Sequence, residues 1–179
     1  MPSNHLRGQI PSSIGNLRNL TSLYLYNNEF FGFIPREIVL LRSLRNLEFS
    51  TNNLTSPIPI FIGNLRNLTT LHLYTNKLFG SIPQEIGLLT SINDLDLLKN
   101  NLIGPIPHSI GNLRNLTTLY LHTNKLFGSI PKEIGLLRYL NDLDLSTNNL
   151  NGRIPPSIGN LRNLIILYLH TNKLFGSIP

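Results

Sequence analysis

The sequence predicts a β-rich α/β repeat solenoid, and three observations lead to this fold class. The 179 residues repeat one pattern with a period of 24. Leu, Ile and Asn number 37, 20 and 24, while Ala and Cys are absent, a bias that an ordinary globular domain does not show. The 12 Pro and 13 Gly argue against a helical bundle, because Pro breaks helix interiors and Gly weakens them.

Each repeat unit begins at a Leu that returns every 24 residues. We number the units 1 to 7 and the positions within each unit 1 to 24. The opening residues are Leu17, Leu41, Leu65, Leu89, Leu113, Leu137 and Leu161. Residues 1–16 form a partial unit, residues 17–160 six full units and residues 161–179 another partial unit, so we expect a single domain over residues 1–179.

Within a unit, the elements follow from residue type and spacing. Apolar and polar residues alternate around positions 6 to 10, as at Leu71 and Leu73, which predicts a short strand. Gly80 at position 16 permits a tight turn, and Pro83 at position 19 stops the strand. One unit cannot bury its apolar side alone, so we expect the units to stack and their strands to form one parallel sheet.

An Asn follows the strand at position 12 of every unit. A turn that leaves a stacked sheet exposes backbone N–H and C=O groups, and an amide side chain can bond to both. We therefore interpret this column as structural rather than catalytic. Its members are Asn28, Asn52, Asn76, Asn100, Asn124, Asn148 and Asn172.

The letters L-x-G-x-I-P followed by I-G, as in Leu78–Pro83 with Ile86 and Gly87, carry a family resemblance. The chain resembles the extracellular leucine-rich repeats of plant receptor-like kinases and receptor-like proteins. The resemblance implies a right-handed superhelix with one parallel sheet on the concave face, a second short strand near the motif, and short 3₁₀ pieces outside. It also implies a non-enzymatic, extracellular or cell-surface module that needs no cofactor and binds a peptide or protein ligand, with a co-receptor as a further partner.

The chain lacks the Cys-containing caps, the membrane segment and the kinase of such receptors, so we read it as a fragment. Uncapped solenoid ends expose apolar core, which predicts end-to-end self-association. Two alternatives stay open. One is a freestanding soluble leucine-rich repeat inhibitor of a wall-degrading enzyme, and the other is an uncapped or engineered repeat array without a ligand.

Side chains at positions 6, 8 and 10 are expected on the concave side of the sheet, where aromatic rings and His in odd units alternate with carboxylates in even units. Tyr is enriched at binding surfaces, so we predict that this side recognises an extended peptide with basic and apolar groups. The alternative is a solvated sheet stabilised by pairs of neighbouring side chains. The candidate ligand-binding residues are Tyr24, Tyr26, Glu48, His72, Tyr74, Asp96, Tyr120, His122, Asp144, Tyr168 and His170.

The chain has a net charge of +6, and we expect its positive residues mainly on the outer side, opposite the concave side of the sheet. Nucleic-acid binding is not favoured, because the aromatic residues accompany carboxylates rather than basic residues. Six Arg at position 2 form the outer Arg row, which we interpret as a solvated edge. The members of the outer Arg row are Arg18, Arg42, Arg66, Arg114, Arg138 and Arg162.

Four Phe at position 15 form a further stripe, the lateral Phe stripe. We expect their rings to pack across the intervening units, and a patch for a partner protein is the alternative. The members are Phe31, Phe79, Phe127 and Phe175.

Chemical sites are not favoured. Ser146 between His122 and His170 suggests a hydrolase, but an open strand face supplies no oxyanion donors. Glu48, His72 and Asp96 share a column, yet an ion-pair network is a better reading than a metal site. N-x-[ST] sequons agree with an extracellular address, and the candidate glycosylation sites are Asn19, Asn53, Asn67 and Asn115.

Overall fold

A computed structural model describes residues 4–178, so Met1, Pro2, Ser3 and Pro179 of the expected domain lie outside the described residues. Each full repeat unit forms one coil that contains an inner strand, a lateral strand and an outer 3₁₀ segment. The inner strands are Ser22–Tyr24, Asn46–Glu48, Thr70–His72, Asp94–Asp96, Thr118–Tyr120, Asp142–Asp144 and Ile166–Tyr168.

The other two elements of each coil repeat with the same regularity. The lateral strands are Arg7–Gln9, Glu29–Gly32, Asn53–Leu54, Phe79–Gly80, Asn101–Gly104, Lys125–Gly128, Asn149–Arg153 and Lys173–Phe175. The outer 3₁₀ segments are Ser12–Asn16, Arg36–Leu40, Ile60–Asn64, Gln84–Leu88, His108–Asn112, Lys132–Leu136 and Pro156–Asn160. Each outer segment begins directly after a Pro in the extended conformation, as predicted from position 19.

The inner strands form one parallel sheet of seven strands, in chain order from one end to the other. Equivalent residues face each other, so Leu71 pairs with Leu95 and His72 with Asp96. The lateral strands pair with a different register, in which Phe79 faces Asn101. The predicted solenoid with a parallel inner sheet, a second short strand and outer 3₁₀ pieces is confirmed.

The core runs through the middle of the stack and is built from the predicted apolar positions. In unit 3, Leu71, Leu73, Leu78 and Ile86 have no exposed surface, and Ile82 is 3% exposed. Burying such a side chain stabilises the fold by about 1.5–3 kcal/mol relative to leaving it in water. The regular 24-residue spacing therefore places equivalent apolar residues of successive coils in one continuous core.

The Asn column holds neighbouring coils together, as its structural interpretation requires. Asn100 is 8% exposed, and its Oδ1 accepts a hydrogen bond from the backbone N–H of Leu78 in the preceding coil at 3.0 Å. Its Nδ2 donates to the carbonyl of Leu73 in that coil and to the carbonyls of Leu97 and Leu98 in its own. One amide thus satisfies backbone groups of two coils in a buried position.

The outer segments pack as tightly as the strands because position 23 is Gly. A Cβ added to Gly63 would lie 2.3 Å from the carbonyl oxygen of Glu85, and one added to Gly87 would lie 2.5 Å from that of Ser109. No side chain fits at such a distance. Glycine is therefore required here by the backbone of the next coil, not by its own dihedral angles.

Units 1 and 2 depart from this pattern. Val39 replaces the Gly of position 23 in unit 1, and the outer segments Arg36–Leu40 and Ile60–Asn64 pack less closely than other consecutive pairs. Phe61, at a position held by Glu or Ser in other units, is partly buried against the core together with Val39. Ser56 stands where other units have Gly, and its buried Oγ has no hydrogen-bond partner.

The first and last coils expose apolar side chains that middle coils bury. Leu17 is 52% exposed, whereas its equivalent Leu41 is fully buried, and Leu167 is 37% exposed, whereas its equivalent Leu143 is fully buried. End-to-end self-association of this chain stays a prediction that these exposed residues support. Within residues 4–178, no helix is long and apolar enough to cross a membrane.

Candidate functional site

The inner face, formed by the side chains at positions 6, 8 and 10 of the inner strands, alternates between two chemical types. In each odd unit the rings at positions 8 and 10 meet edge to face or tilted, with centroids 6.0–6.4 Å apart. The pairs are Tyr24–Tyr26, His72–Tyr74, Tyr120–His122 and Tyr168–His170. Carboxylates of the even units lie on the strands between them.

The exposed surface of this face is mainly aromatic. Tyr24 and Tyr168 are 53% and 50% exposed, and Tyr120 is half-buried. Asp96 and Asp144, in contrast, are 7% and 9% exposed. A ligand on the inner face therefore meets rings first and these two carboxylates at the bottom of the spaces between them.

Asp96 and Asp144 are buried because each turns back onto its own strand end. Asp96 Oδ1 accepts a hydrogen bond from the backbone N–H of Leu98 at 3.0 Å, and Asp144 Oδ1 accepts one from Ser146 at 2.9 Å. This local bond to the second residue along is a common choice of short acidic side chains. One carboxylate oxygen of each residue is thus used structurally, which the sequence pattern did not indicate.

His72 is the centre of an ion-pair network. Its Nε2 lies 2.8 Å from Asp94 Oδ2, and its Nδ1 lies 3.9 Å from Glu48 Oε1. The sequence placed His72 in a column with Glu48 and Asp96, but its closest acidic partner is Asp94 at position 6 of the next coil. Further along, His122 Nε2 lies 3.7 Å from Asp144 Oδ2.

Burial and neighbouring charges shift two pKa values in this network. Burial lowers the pKa of His72, but the hydrogen bond to Asp94 and the charges of Asp94, Glu48 and Asp96 outweigh it, so the pKa is raised. Burial raises the pKa of Asp96 from 3.8 to about 6, against the opposing hydrogen bond from Leu98. The network therefore changes its charge in mildly acidic solution.

Stability should fall as pH rises through this range. The folded state binds more protons than the unfolded state at both groups, at Asp96 between pH 3.8 and about 6 and at His72 above 6.5. Asp96→Asn keeps the acceptor for Leu98 but removes the buried charge, so we expect it to raise the free energy of unfolding at pH 7 by about 1–3 kcal/mol. Denaturant titrations at several pH values measure this.

The same titrations contain their own control. At about pH 3, Asp96 is mostly protonated in both the folded and the unfolded state. The native chain and Asp96→Asn should therefore have similar free energies of unfolding at this pH. Equal slopes of stability against pH for the two proteins between pH 4 and about 6 would contradict the assignment of the raised pKa to Asp96.

A metal is not held by these groups. Among residues 4–178, no set of three or more His, Asp and Glu side chains is placed to hold an ion. Ser146 of the hydrolase constellation is 4% exposed, with Asp144 bonded to its backbone N–H. The inner face presents rings, hydroxyls and charges, which suit noncovalent recognition.

The lateral Phe stripe is exposed rather than packed. Phe31, Phe79, Phe127 and Phe175 are 41%, 48%, 48% and 61% exposed, so the expected packing across intervening units is wrong. Position 15 directly precedes the Gly of position 16, and its side chain points away from the core that receives position 14. Ile103 of unit 4 is 49% exposed at the same position. The lateral side thus carries separate apolar groups.

The sequon residues occupy two places. Asn19, Asn67 and Asn115 are exposed beside the outer Arg row, whereas Asn53 is half-buried in a lateral strand. Asn67 Nδ2 donates to the carbonyl of Arg42 and Asn115 Nδ2 to that of Thr90, each in the preceding coil. An amide nitrogen that carries a glycan keeps one N–H, so these bonds are compatible with modification. Glycosylation stays a prediction.

Comparison with known families decides the family of the chain. The model of the leucine-rich repeat family matches residues 19–41, 43–65, 67–89, 115–137 and 139–161, which is more than half of the chain. The chain belongs to the leucine-rich repeat family. A comparison with curated proteins gives no match.

Solved structures place this leucine-rich repeat chain beside plant receptor ectodomains. The TDR receptor superposes with a TM-score of 0.97 at 36% identity. The ectodomain of the Arabidopsis thaliana membrane receptor kinase GASSHO1/SCHENGEN3, in complex with CASPARIAN STRIP INTEGRITY FACTOR 2, gives 0.97 at 38% identity. The Arabidopsis receptor kinase HAESA, in complex with the peptide hormone IDA and the co-receptor SERK1, gives 0.95 at 42% identity.

The similarity covers 99% of this leucine-rich repeat chain in all three cases. The chain spans only 31%, 21% and 30% of those three proteins, respectively. The predicted resemblance to plant receptor ectodomains is confirmed, and no enzymatic family is indicated. These relatives do not favour the alternative of an enzyme inhibitor.

Proposed function

We propose that this leucine-rich repeat chain is a non-enzymatic recognition module of the extracellular part of a plant receptor-like kinase or receptor-like protein. Its ligand is an extended peptide that lies along the inner face. The observation that carries the proposal is the alternation of ring pairs and carboxylates along seven strands, in a fold whose neighbours include receptors solved with peptide hormones.

The geometry selects the chemistry of the peptide. Strands of a sheet lie about 4.8 Å apart, so ring pairs in alternate coils recur at roughly 9.6 Å along the face. Apolar peptide side chains pack on Tyr24, Tyr120 and Tyr168, and basic side chains approach Glu48 and Asp94. No Arg occupies positions 6, 8 or 10, so capture of a terminal carboxylate by paired Arg does not suit this face.

A co-receptor is the second partner in this proposal. The lateral Phe stripe lies on the side of the stack next to the inner face and exposes 41–61% of each ring. Exposed apolar groups next to a ligand site suit a protein that touches ligand and receptor together. HAESA has been solved with both a peptide hormone and a co-receptor.

Selection from a randomised library of displayed peptides tests the proposed function. We expect the enriched peptides to combine Lys or Arg with apolar residues, because these groups complement the acidic and aromatic inner face. A variant that carries both Tyr24→Ala and Tyr168→Ala should bind few of the enriched peptides. Enrichment of acidic peptides, or no enrichment over an unrelated repeat protein, would contradict the proposal.

A further inference from the structure

The outer Arg row is a line of cations without acidic partners. All six side chains are exposed, and they follow directly after the outer 3₁₀ segments. Within residues 4–178, every ion pair joins a His to a carboxylate, and none includes Arg. Glu37, Glu85 and Glu133 lie on the outer segments, but Glu133 pairs with His108 rather than with Arg138. The row thus presents uncompensated positive charge.

The stack fixes the spacing of these charges. Consecutive coils lie about 4.8 Å apart in the inner sheet, and the Gly contacts of position 23 keep most outer segments equally close. Thr90 in unit 4 divides the row into two triplets. Like charges at one-coil intervals repel each other, and that repulsion is relieved when a chain of anions lies along them.

Clefts open between consecutive members of the row. One of about 360 Å³ lies between Arg18 and Arg42, one of about 420 Å³ between Arg42 and Arg66, and one of about 480 Å³ between Arg138 and Arg162. Asn163 lines the largest, and its Nδ2 donates to the carbonyl of Arg138 at 3.1 Å. This bond fixes the backbone beneath two of the cations.

We propose that the outer Arg row binds a linear polysaccharide that carries one carboxylate on every sugar residue. Its carboxylates pair with successive guanidinium groups, and its hydroxyl-rich rings lie over the clefts that Asn160 and Asn163 line. Duplex DNA fits less well, because it carries a charge every 1.7 Å or so of its axis, far denser than one per coil. Proteins that bind single-stranded nucleic acids use aromatic side chains on which the bases stack, and at position 3, next to the Arg of the row, the sequence has only Tyr139 of this kind.

The sequons distinguish the two triplets. Asn19 and Asn67 lie at clefts beside the first triplet, so glycans there would restrict it. In the second triplet, Asn115 follows Arg114 and is also a sequon, but Asn163 is followed by Leu164 and Ile165 and is not, which leaves the cleft between Arg138 and Arg162 free. The second triplet, Arg114, Arg138 and Arg162, is therefore the principal site, with its free cleft between Arg138 and Arg162.

Titration of the unglycosylated chain with polygalacturonate tests this proposal. Its fully methyl-esterified form is the matched control, since it has the same chain without charge. The triple variant Arg114→Gln, Arg138→Gln and Arg162→Gln should bind polygalacturonate about tenfold more weakly, and binding should weaken with salt. The variant Lys77→Gln, Lys125→Gln and Lys173→Gln, which loses three charges within or just before the lateral strands, should change affinity by less than about twofold.

Several results would overturn the assignment. Equal losses in the two triple variants would mean attraction by net charge alone, and unchanged affinity in the Arg variant would exclude the second triplet as the principal site. Binding of the methyl ester as tightly as polygalacturonate would exclude the pairing of charges. Binding of duplex or single-stranded DNA as tightly as polygalacturonate would assign the row to nucleic acid instead. Circular dichroism is the control for folding, and each variant should give the spectrum of the native chain because the replaced side chains are exposed.

Discussion

Asn100→Leu is expected to lower the free energy of unfolding by about 2–5 kcal/mol, since it leaves a buried backbone N–H without an acceptor and removes further buried hydrogen bonds. The N–H of Leu78 loses its acceptor, and the carbonyls of Leu73 and Leu97 each lose one of two Asn side-chain donors. All three residues are fully buried, so water cannot replace the amide without opening the coil. A loss of this size is a large fraction of the stability of a typical domain.

Hydrogen exchange measured by mass spectrometry or NMR is the most informative readout for this variant. Stacked repeats depend on contacts between neighbours, so unfolding need not be a single transition. The amide of Leu78 should lose protection together with its neighbours in units 3 and 4. Asn101→Leu is the matched control, because Asn101 is exposed on the lateral strand and its replacement should change stability by less than about 0.5 kcal/mol. Equal effects of the two substitutions would contradict the structural role of the Asn column.

Gly87→Val is expected to cost about 2–3 kcal/mol or more, because its Cβ would lie 2.5 Å from the carbonyl oxygen of Ser109. That atom belongs to the backbone of the next coil and cannot move away by a change of rotamer. The coils must therefore separate, and the apolar contacts between units 3 and 4 weaken with them. Denaturant titration measures the loss.

Two positions in the same chain provide the comparison. At Gly159 an added Cβ would meet no atom within 4 Å, so Gly159→Val should change stability by about 0.5 kcal/mol or less. Val39 already occupies position 23 of unit 1, and there the consecutive outer segments pack less closely than elsewhere. Equal stability of Gly87→Val and Gly159→Val would show that close packing of the outer segments is not required.

The repeat made most of the fold predictable from sequence. A Leu or Ile at a given position has nearly the same surroundings in every unit, so the pattern of one unit predicts the buried positions of the others. The Asn column was interpretable because an amide is among the few neutral groups that both donate and accept. The packing between units 1 and 2 was harder to predict. The substitution at Val39 is visible in the sequence, but the looser packing of the two outer segments there depends on how these segments meet.

The sequence predicted which residues lie on the inner face, but not which of their side chains contact each other. Residue spacing placed His72, Glu48 and Asp96 on neighbouring strands, yet side-chain rotamers pair His72 with Asp94. The same limit applies to Asp96 and Asp144, whose local hydrogen bonds bury them. The exposure of the lateral Phe stripe was also missed, because it depends on the direction of position 15 relative to the coil.

Affinity of the selected peptides for two inner-face variants tests the central claim, that the inner face is the ligand-binding surface. Tyr120→Ala removes a ring, and Asp144→Asn removes a charge while keeping the acceptor for Ser146. Isothermal titration should show each variant binding about tenfold more weakly. Arg138→Gln on the opposite side should bind the peptides as the native chain does. If Tyr120→Ala and Asp144→Asn both bind with native affinity, the inner face is not the site.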